Sequence, residues 1–317
     1  MAEIGTDILQ AARLLKAGKL VSIPTETVYG LAANAFDEDA VINIFEAKNR
    51  PHFDPLIVHI SGKRWVTELV REIPPLARNL MNEFWPGPLT LVLPKKDVIP
   101  DIVTSGLDNV AIRVPAHSVT QGLISNLNFP LAAPSANPFG YVSPTTAQHV
   151  NDQLGDKIDY ILDGGSTTVG LESTIIGFED DQPVVYRLGG LSIDVIEDSI
   201  GKVKVTLNQS ADPKAPGMLK SHYATKKPFH FGNPGQMISD FEEKRIGFLG
   251  FITKLEFLPE KQQLLLSPSG DLHEAAKNLF AYMRQFETMN VDLILAEELP
   301  DIGLGKAIND RLRRAAV

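Results

Sequence analysis

The sequence of 317 residues contains no cysteine, which excludes disulfide bonds, thiolate metal sites and cysteine nucleophiles. This absence fits the cytoplasm, where disulfides are rare. No run approaches the roughly 18 apolar residues that a membrane span requires. Residues 1–19 carry acidic groups early and have no apolar segment, which predicts that they are not a signal peptide. We therefore expect a cytoplasmic protein without a membrane segment.

Several catalytic signatures are also missing. The pattern Gly-x-Ser-x-Gly does not occur, and neither a P-loop pattern nor Gly-x-Gly-x-x-Gly follows a predicted strand. The seven histidines have no spacing typical of metal ligands. The sequence thus indicates no covalent catalyst, and we name no metal-ligating residue.

The larger part of the chain has no excess of basic over acidic residues. The net charge is −9, and residues 1–205 carry 16 Lys and Arg against 25 Asp and Glu, whereas residues 206–317 carry 14 of each. An acidic main domain argues against tight, non-specific binding of nucleic acid, which needs several phosphate contacts from a basic face. A local group of basic residues that binds one nucleotide is compatible with this net charge.

The length and the pattern of elements indicate two α/β domains. Residues 206–227 contain prolines and no periodic apolar pattern, which predicts a linker. Residues 1–205 then form the main domain. Residues 228–317, with alternating strands and helices, form a small three-layer α/β domain.

The main domain is organised around residues 24–60. A short apolar strand over residues 20–23 ends in hydroxyl and carboxyl groups, a helix follows over about 38–49, and a second strand follows over 55–60. Ligands collect where such strands end, because loops and helix N-termini expose backbone N–H groups there. This unit therefore predicts a ligand site.

Five polar residues of this unit are candidates for the site: Thr25, Thr27, Lys48, Arg50 and His59. The two basic groups suit an anion, and the hydroxyls suit a small polar ligand beside it. Each has a structural alternative. A late Lys or Arg complements the helix dipole, a strand histidine is commonly half-buried, and threonines beside a proline make turns. Their coincidence in one unit favours the site.

Two further polar clusters end or follow apolar strands. Ser135 and Asn137 follow a strand over 131–133, and Glu172 precedes a hairpin. Ser143 and Thr145 flank a proline and predict a helix start with Ser143 as its cap, which is either a phosphate contact or a plain N-cap.

Arg113 and Arg187 lie within β-branched strands, where an unpaired guanidinium is costly. A bound carboxylate or phosphate could partner them, and for Arg187 a salt bridge to Glu172 or a nearby Asp is equally open. A site that positions and neutralises anions suits phosphoryl or nucleotidyl transfer.

The ordered motifs of the chain resemble the threonylcarbamoyl-AMP synthase family in its long, two-domain form. The matching segments are PTETVYGL, KNRP, PLIVHI, FWPGPLTLVL, AIRVP, SAN followed by SPT, ESTII, PGMLKSHYA and GLGKAINDRLRRAA. The resemblance implies a YrdC-like domain, with a twisted, mostly mixed sheet around a concave, positively lined cavity. A smaller, Rossmann-like C-terminal domain follows it.

The resemblance also implies a reaction. L-threonine, bicarbonate or CO2, and ATP with Mg²⁺ give threonylcarbamoyl-AMP and pyrophosphate. A separate transferase then passes the threonylcarbamoyl group to tRNA. Most of the Mg²⁺ ligands would be phosphates and water, because no acidic cage is visible.

Site residues follow from the same resemblance. The threonine positions match Thr27, His59, Arg113, Ser135 and Ser173. The nucleotide positions match Lys48, Arg50, Asp54, Asn109, Asn137, Ser143, Thr145, Arg187 and Tyr223. Lys48 and Arg50 would be catalytic, because they offset the charge of the leaving pyrophosphate, and Tyr223 would fold over the cavity from the linker.

The chain departs from the family pattern at four positions. Asp54 stands where the family usually has Asn, and Asn109 stands where it usually has Thr. Phe139 replaces a usual Ser, and Ser221 replaces a usual basic residue.

Two other functions compete with the one that the resemblance implies: a module that binds double-stranded RNA or tRNA without catalysis, and a carbamoyltransferase. The acidic main domain argues against the first, and the absence of cysteine for a zinc finger argues against the second.

Overall fold

A computed structural model of the chain describes residues 1–207, 218, 222–241 and 243–316. Most of the predicted linker over 206–227, including Ser221, lies outside these residues. None of the described helices is both long and apolar enough to cross a membrane.

The first domain is built on one large mixed sheet, as the sequence predicts. Among the described residues its strands are ordered β1-β8-β2-β3-β7-β4-β6-β5-β9-β10-β11. In chain order they are β1 (Glu3–Gly5), β2 (Val21–Ile23), β3 (Gly30–Asn34), β4 (Ile57–His59), β5 (Leu89–Pro94), β6 (Asn109–Arg113), β7 (Leu131–Ala132), β8 (Tyr160–Leu162), β9 (Thr174–Glu179), β10 (Gln182–Arg187) and β11 (Lys204–Val205).

Helices cover this sheet. They are α1 (Ile8–Lys16), α2 (Glu38–Lys48), α3 (Val66–Leu69), α4 (Pro75–Phe84), α5 (Asp101–Thr104), α6 (Ser118–Ser125), α7 (Ala147–Leu154) and α8 (Ile193–Ile200), with a 3-10 turn at Lys63–Trp65. The apolar sides of α2, α4 and α7 share one buried cluster with the inner strands. Burial of that surface is the main stabilising term of the domain.

Two local predictions in the first domain are wrong. The helix predicted to begin at Ser143 begins at Ala147, where the side chain of Thr146 accepts the N–H of His149 and acts as N-cap. The unit over residues 24–60 contains an extra strand, β3, which pairs antiparallel with β2. The loop with the threonines is therefore the turn of a hairpin, and its direction is set by both strands.

Register places several polar residues in one row. β4 and β6 are parallel and pair His59 with Arg113, and β5 pairs Thr90 with Arg113 from the other side. Paired residues of neighbouring strands point to the same face. His59, Arg113 and Thr90 therefore lie side by side where β4 and β6 end.

The C-terminal domain has a smaller, parallel sheet in the order β12-β15-β13-β14. Its elements are β12 (Phe229–Gly232), α9 (Pro234–Met237), β13 (Ile246–Gly250), β14 (Gln263–Leu265), α10 (Leu272–Thr288), β15 (Leu293–Glu297) and α11 (Gly305–Ala315), with 3-10 turns at Ile238–Phe241 and Glu260–Gln262. Ile294 shares a cluster with α10 and α11, whereas Leu293 and Leu295 pack against the α9 side. The alternation gives the predicted three layers.

The two domains share a buried cluster, in which apolar residues of α10 and α11 pack with residues of the first domain. Gly170 permits this approach, because a Cβ there would lie 2.5 Å from the Cα of Lys277 on α10. Arg284 of α10 adds polar contacts to the carbonyl oxygens of Val142 and Ser143. The C-terminal domain is thus packed directly behind the segment that holds Ser143.

Candidate active site

A pocket of about 600 Å³, its open mouth included, lies at the strand ends of the first domain. Nine of the candidate residues named from the sequence line it together: Thr25, Thr27, Arg50, His59, Arg113, Ser135, Ser173, Arg187 and Tyr223. They lie in the unit over residues 24–60, at the ends of β6 and β10, in the loops after β7 and before β9, and in the predicted linker. Glu172, which the sequence places in a polar cluster without a ligand role, and His222 complete much of the polar lining.

Arg113 is buried and is held by three groups of the protein. Its Nε donates to the carbonyl oxygen of Gly87 at 3.2 Å, its Nη1 donates to Thr27 Oγ1 at 2.8 Å, and its Nη2 lies 2.6 Å from Glu26 Oε1 in an ion pair. These three contacts engage one N–H group on each nitrogen, and a guanidinium has five N–H groups in all. The side chain is therefore fixed in place, and its remaining N–H groups can donate to a ligand carboxylate.

His59 is buried next to Arg113. Burial and the charge of Arg113 lower the pKa of His59 to about 3, so the ring is neutral at neutral pH. Its Nδ1 lies 3.2 Å from the carbonyl oxygen of Ile57. A neutral imidazole beside a guanidinium adds a polar contact without adding charge.

Ser173 is fixed by a small network inside the first domain. Its hydroxyl lies 2.7 Å from Thr90 Oγ1, and Arg187 Nη2 donates to Ser173 Oγ at 3.1 Å and to its carbonyl oxygen at 2.9 Å. Burial lowers the pKa of Arg187 to about 10, which leaves it charged at neutral pH. We call Thr27, His59, Arg113 and Ser173 the strand-end group.

Lys48 is only 1% exposed and lies behind the pocket wall. Its ammonium donates to the carbonyl oxygen of Ser135 at 2.5 Å and to that of Asn137. Burial and the charge of Arg50 hold the pKa of Lys48 well below its usual range. An approaching phosphate would favour its charged form.

Arg50 lines the pocket and pairs with Asp54 at 2.9 Å. Its Nε and Nη2 also donate to the carbonyl oxygens of Asp54 and Pro55 at 3.0 and 2.8 Å. The side chain of Asp54 is fully buried. We call Lys48, Arg50, Asp54 and Asn137 the helix-end group, because they follow or adjoin the end of α2.

Three predicted nucleotide residues lie behind the lining. Asn137 donates to the carbonyl oxygens of Pro138 and Tyr141, and its buried Oδ1 has no hydrogen-bond partner among the described residues. Ser143 donates to Glu172 Oε1 at 2.6 Å. Thr145 is buried, with its hydroxyl 3.3 Å from His149 Nδ1.

Asn109 is not brought into the pocket. It is the exposed first residue of β6, opposite Pro94, and it adjoins a separate surface depression that also contains Asp180 and Asp181. Arg113, at the other end of the same strand, lines the pocket. The nucleotide role of Asn109 stays a prediction that this geometry does not support.

Tyr223 lies over the pocket and is almost completely buried. Its ring stacks on Phe280 at 5.4 Å between centroids, and the guanidinium groups of Arg311 and Arg314 lie 5.2 and 5.1 Å from the ring centroid. His222 precedes it and contacts Phe139 edge-on. This part of the predicted linker is therefore anchored to the C-terminal domain.

Glu26 and Glu172 received no ligand role from the sequence, although it places both beside hydroxyl residues of the polar clusters. Each is a buried carboxylate next to a predicted ligand residue, Thr27 or Ser173, and each pairs with a buried arginine. A buried carboxylate requires such a partner. The sequence offers Arg187 as the partner of Glu172, whereas the structure pairs Glu172 with Arg311, which follows it by more than a hundred positions.

Comparisons with known proteins cover both domains of the chain. Residues 13–189 match the family described as "Telomere recombination", and residues 191–317 match "Threonylcarbamoyl-AMP synthase, C-terminal domain". The chain is 43% identical to the threonylcarbamoyl-AMP synthase of Pyrococcus abyssi, over 96% of this chain and 93% of that protein. It is 42% identical to the synthase of Bacillus subtilis, over 98% and 92% respectively.

A solved structure extends the likeness to the whole fold. The crystal structure of P. abyssi Sua5 complexed with L-threonine matches with a TM-score of 0.92 and 41% identity, over 100% of this chain and 97% of that one. Both sheets and their order along the chain are therefore shared with that protein.

Proposed function

This chain belongs to the threonylcarbamoyl-AMP synthase family and shares its activity, and we propose that it works by nucleotidyl transfer. In the proposed reaction, L-threonine, bicarbonate or CO2, and ATP give threonylcarbamoyl-AMP and pyrophosphate. The observation that carries the proposal is that two arginines, Arg113, which the protein holds in a fixed position, and Arg50, line the same pocket. One cation suits a carboxylate, and the other suits a phosphate.

Threonine would bind through the strand-end group and Ser135. Arg113 Nη2 would donate to the threonine carboxylate, and the hydroxyls of Thr27 and Ser173 would orient the rest of the molecule. Because these side chains are held by Glu26, Gly87, Thr90 and Arg187, the site needs little rearrangement to accept the ligand. Such preorganisation lowers the entropic cost of binding.

ATP would bind at the helix-end group, with Ser143, Thr145, Arg187 and Tyr223 around the nucleotide. The threonine amine adds to CO2, and an oxygen of the resulting carbamate attacks the α-phosphorus as pyrophosphate departs. Lys48 and Arg50 would stabilise the charge that develops on the leaving phosphates. They act as electrostatic catalysts and not as nucleophiles.

Mg²⁺ would enter with ATP. Within the described residues no group of three His, Asp or Glu could hold a metal ion by itself, and the carboxylates beside the pocket, Asp54 and Glu172, are paired with arginines. Phosphate oxygens and water would therefore supply most of its ligands, which is usual for Mg²⁺ on a nucleotide. When bound, it neutralises part of the phosphate charge.

The product would pass to a separate tRNA threonylcarbamoyl transferase, because a mixed anhydride of carbamate and phosphate is labile in water. We place threonine binding, both catalytic residues and, apart from Tyr223, the ATP-binding residues in residues 1–205. Weak contact with tRNA is compatible with the acidic main domain only if it is local.

Mass spectrometry of the products tests this function. Purified chain incubated with ATP, Mg²⁺, L-threonine and bicarbonate is expected to give threonylcarbamoyl-AMP and pyrophosphate. Omission of threonine or bicarbonate is expected to abolish both. Pyrophosphate release that is independent of threonine, or tight binding of double-stranded RNA without any adenylate product, would contradict the proposal.

A further inference from the structure

A chain of contacts connects the C-terminal helix α11 with the pocket wall. Arg311 of α11 has a side chain that is 0% exposed. Its Nε lies 3.1 Å from Glu172 Oε2, and its Nη2 donates to the carbonyl oxygen of Leu188 at 2.7 Å. A residue of the second domain thus pairs with a carboxylate that lines the pocket of the first.

Glu172 carries this contact further. While Oε2 faces Arg311, Oε1 accepts the hydroxyl of Ser143 at 2.6 Å. Burial acts to raise the pKa of Glu172, but the charges of Arg311 and Arg187 outweigh it and lower the pKa. The carboxylate is therefore ionised and holds Ser143 and Arg311 at its two oxygens.

Arg311 also supports Tyr223. Its guanidinium lies 5.2 Å from the centroid of the Tyr223 ring, which also stacks on Phe280 of α10. Contacts of this kind between a guanidinium and an aromatic ring are attractive. Ser143 and Tyr223, two residues that we place around the nucleotide, are thus both held from the C-terminal domain.

The residues that we place around threonine do not depend on that domain in the same way. Arg113 is held by Glu26, Gly87 and Thr27, and Ser173 by Thr90 and Arg187. All of these contacts lie inside the first domain. The two parts of the pocket share Arg187, but the contacts from Arg311 reach the nucleotide part, through Glu172 and Tyr223.

We propose that Arg311 is a positioning residue for the nucleotide part of the pocket, through which the C-terminal domain completes the active site. This inference rests on the proposed function, since it assigns Ser143 and Tyr223 to ATP. It gives the C-terminal domain a part in substrate binding, beyond tethering the linker. The alternative is that Arg311 only stabilises the interface between the domains.

The chain offers a matched control on the same helix. Lys306 of α11 lies 3.1 Å from Asp194 of α8, also joins the two domains, and is partly exposed. It does not contribute to the lining of the pocket. Lys306→Ala therefore removes a contact between the domains without touching the nucleotide residues.

The experiment measures the KM for ATP, the KM for threonine and the melting temperature of three full-length variants: Arg311→Met, Arg311→Met with Glu172→Gln, and Lys306→Ala. Arg311→Met is expected to raise the KM for ATP by about tenfold to a hundredfold, as small misplacements in a site do. The KM for threonine is expected to change by less than about threefold, which is the size of a weak contact. Lys306→Ala is expected to change neither constant.

The double variant separates positioning from stability. Arg311→Met leaves Glu172 buried without its partner and is destabilising, whereas replacing both charges of a buried pair is commonly tolerated. The double variant is therefore expected to regain the melting temperature but to keep the raised KM for ATP. Recovery of both, or an equal rise of the two KM values, would overturn the inference. Failure of the wild-type chain to make threonylcarbamoyl-AMP would instead contradict the proposed function.

Discussion

The two groups that form the pocket hold their positive charges in different ways. In the strand-end group, Arg113 is paired with Glu26 and donates to the carbonyl oxygen of Gly87 and the hydroxyl of Thr27. In the helix-end group, Arg50 is paired with Asp54 and donates to two carbonyl oxygens. Both arginines are thus held by the protein, and the groups differ in Lys48, a buried lysine whose ammonium donates to two backbone carbonyls.

This difference sets how each ligand can bind. A guanidinium has more N–H groups than the three contacts of Arg113 use, so a ligand carboxylate can bind to the remaining ones, and threonine recognition should depend strongly on this residue. A triphosphate must instead draw the buried ammonium of Lys48 away from its carbonyl partners. Part of the attraction is then offset by the contacts that are given up, and the affinity for ATP should be spread over several groups.

Removal of Arg113 gives the largest expected effect. Arg113→Ala should weaken threonine binding by on the order of 2–5 kcal/mol, because the ligand carboxylate and Glu26 would both lose a buried cationic partner. Isothermal titration of threonine into the variant measures this loss. Arg78→Ala, at an exposed position on α4, is the control and should leave the affinity unchanged. An unaltered threonine affinity in Arg113→Ala would show that the carboxylate binds elsewhere.

Low pH is expected to protonate His59 of the strand-end group and thereby lower the stability of the folded chain. The unfolded chain binds a proton on this residue below its usual pKa of about 6.5, whereas the folded chain does so only near 3. The stability contributed by the neutral ring is therefore complete above pH 6.5 and is lost as the pH falls. The loss from this group amounts to at most about 1.4 kcal/mol per pH unit between these values.

Urea unfolding between pH 4.5 and 7.5 checks the sign and the size of this effect. His59→Asn cannot take up the proton, so its stability should fall less steeply with acid than that of the wild-type chain. Measurement at pH 7.5 gives the packing cost of the substitution alone. Identical slopes for both proteins would mean that His59 titrates alike in the folded and unfolded states.

Asp54 offers a way to change the charge balance of the helix-end group while the strand-end group keeps its own ion pair between Arg113 and Glu26. Asp54→Asn keeps an acceptor for Arg50 but removes the opposing charge, and it also removes a carboxylate from the neighbourhood of the triphosphate. ATP should then bind about fivefold more tightly, or roughly 1 kcal/mol. Titration with a non-hydrolysable ATP analogue measures it, with Asp101→Asn, a surface partner of Lys95, as control. Weaker binding would mean that Asp54 orders Arg50 for the nucleotide or contacts the metal ion.

The sequence predicts most of this fold because its inner strands are continuous apolar runs. The strand predicted over 20–23 is found at Val21–Ile23, and the one predicted over 55–60 is found at Ile57–His59. β3 was missed because its small residues, Gly30 to Asn34, do not distinguish a strand from the start of a helix. Its strand state comes from pairing with β2 and β7, which is a tertiary effect.

The site was predictable to a similar extent, and for a related reason. Polar residues that end strands of one sheet meet at its edge, so Thr27, His59 and Arg113 converge as expected. The direction of a long side chain is not fixed by its place in the chain. Lys48 is the last residue of α2, and Arg50 follows two residues later. Arg50 lines the pocket, whereas Lys48 lies behind its wall, where the ammonium donates to the carbonyl oxygens of Ser135 and Asn137.

Asn109 gives the smallest expected effect and shows how far the pocket extends. The resemblance to the family assigns it to the nucleotide, but it begins the five-residue strand β6 that ends at Arg113, and a strand rises about 3.3 Å per residue. Asn109→Ala should therefore change the KM for ATP by less than about twofold, or roughly 0.4 kcal/mol. Steady-state kinetics at saturating threonine, with Arg50→Ala as the variant in which a large rise is expected, measures it. A rise of about tenfold or more for Asn109→Ala would mean that the bound nucleotide reaches across the sheet to the start of β6, and that the helix-end group holds only part of it.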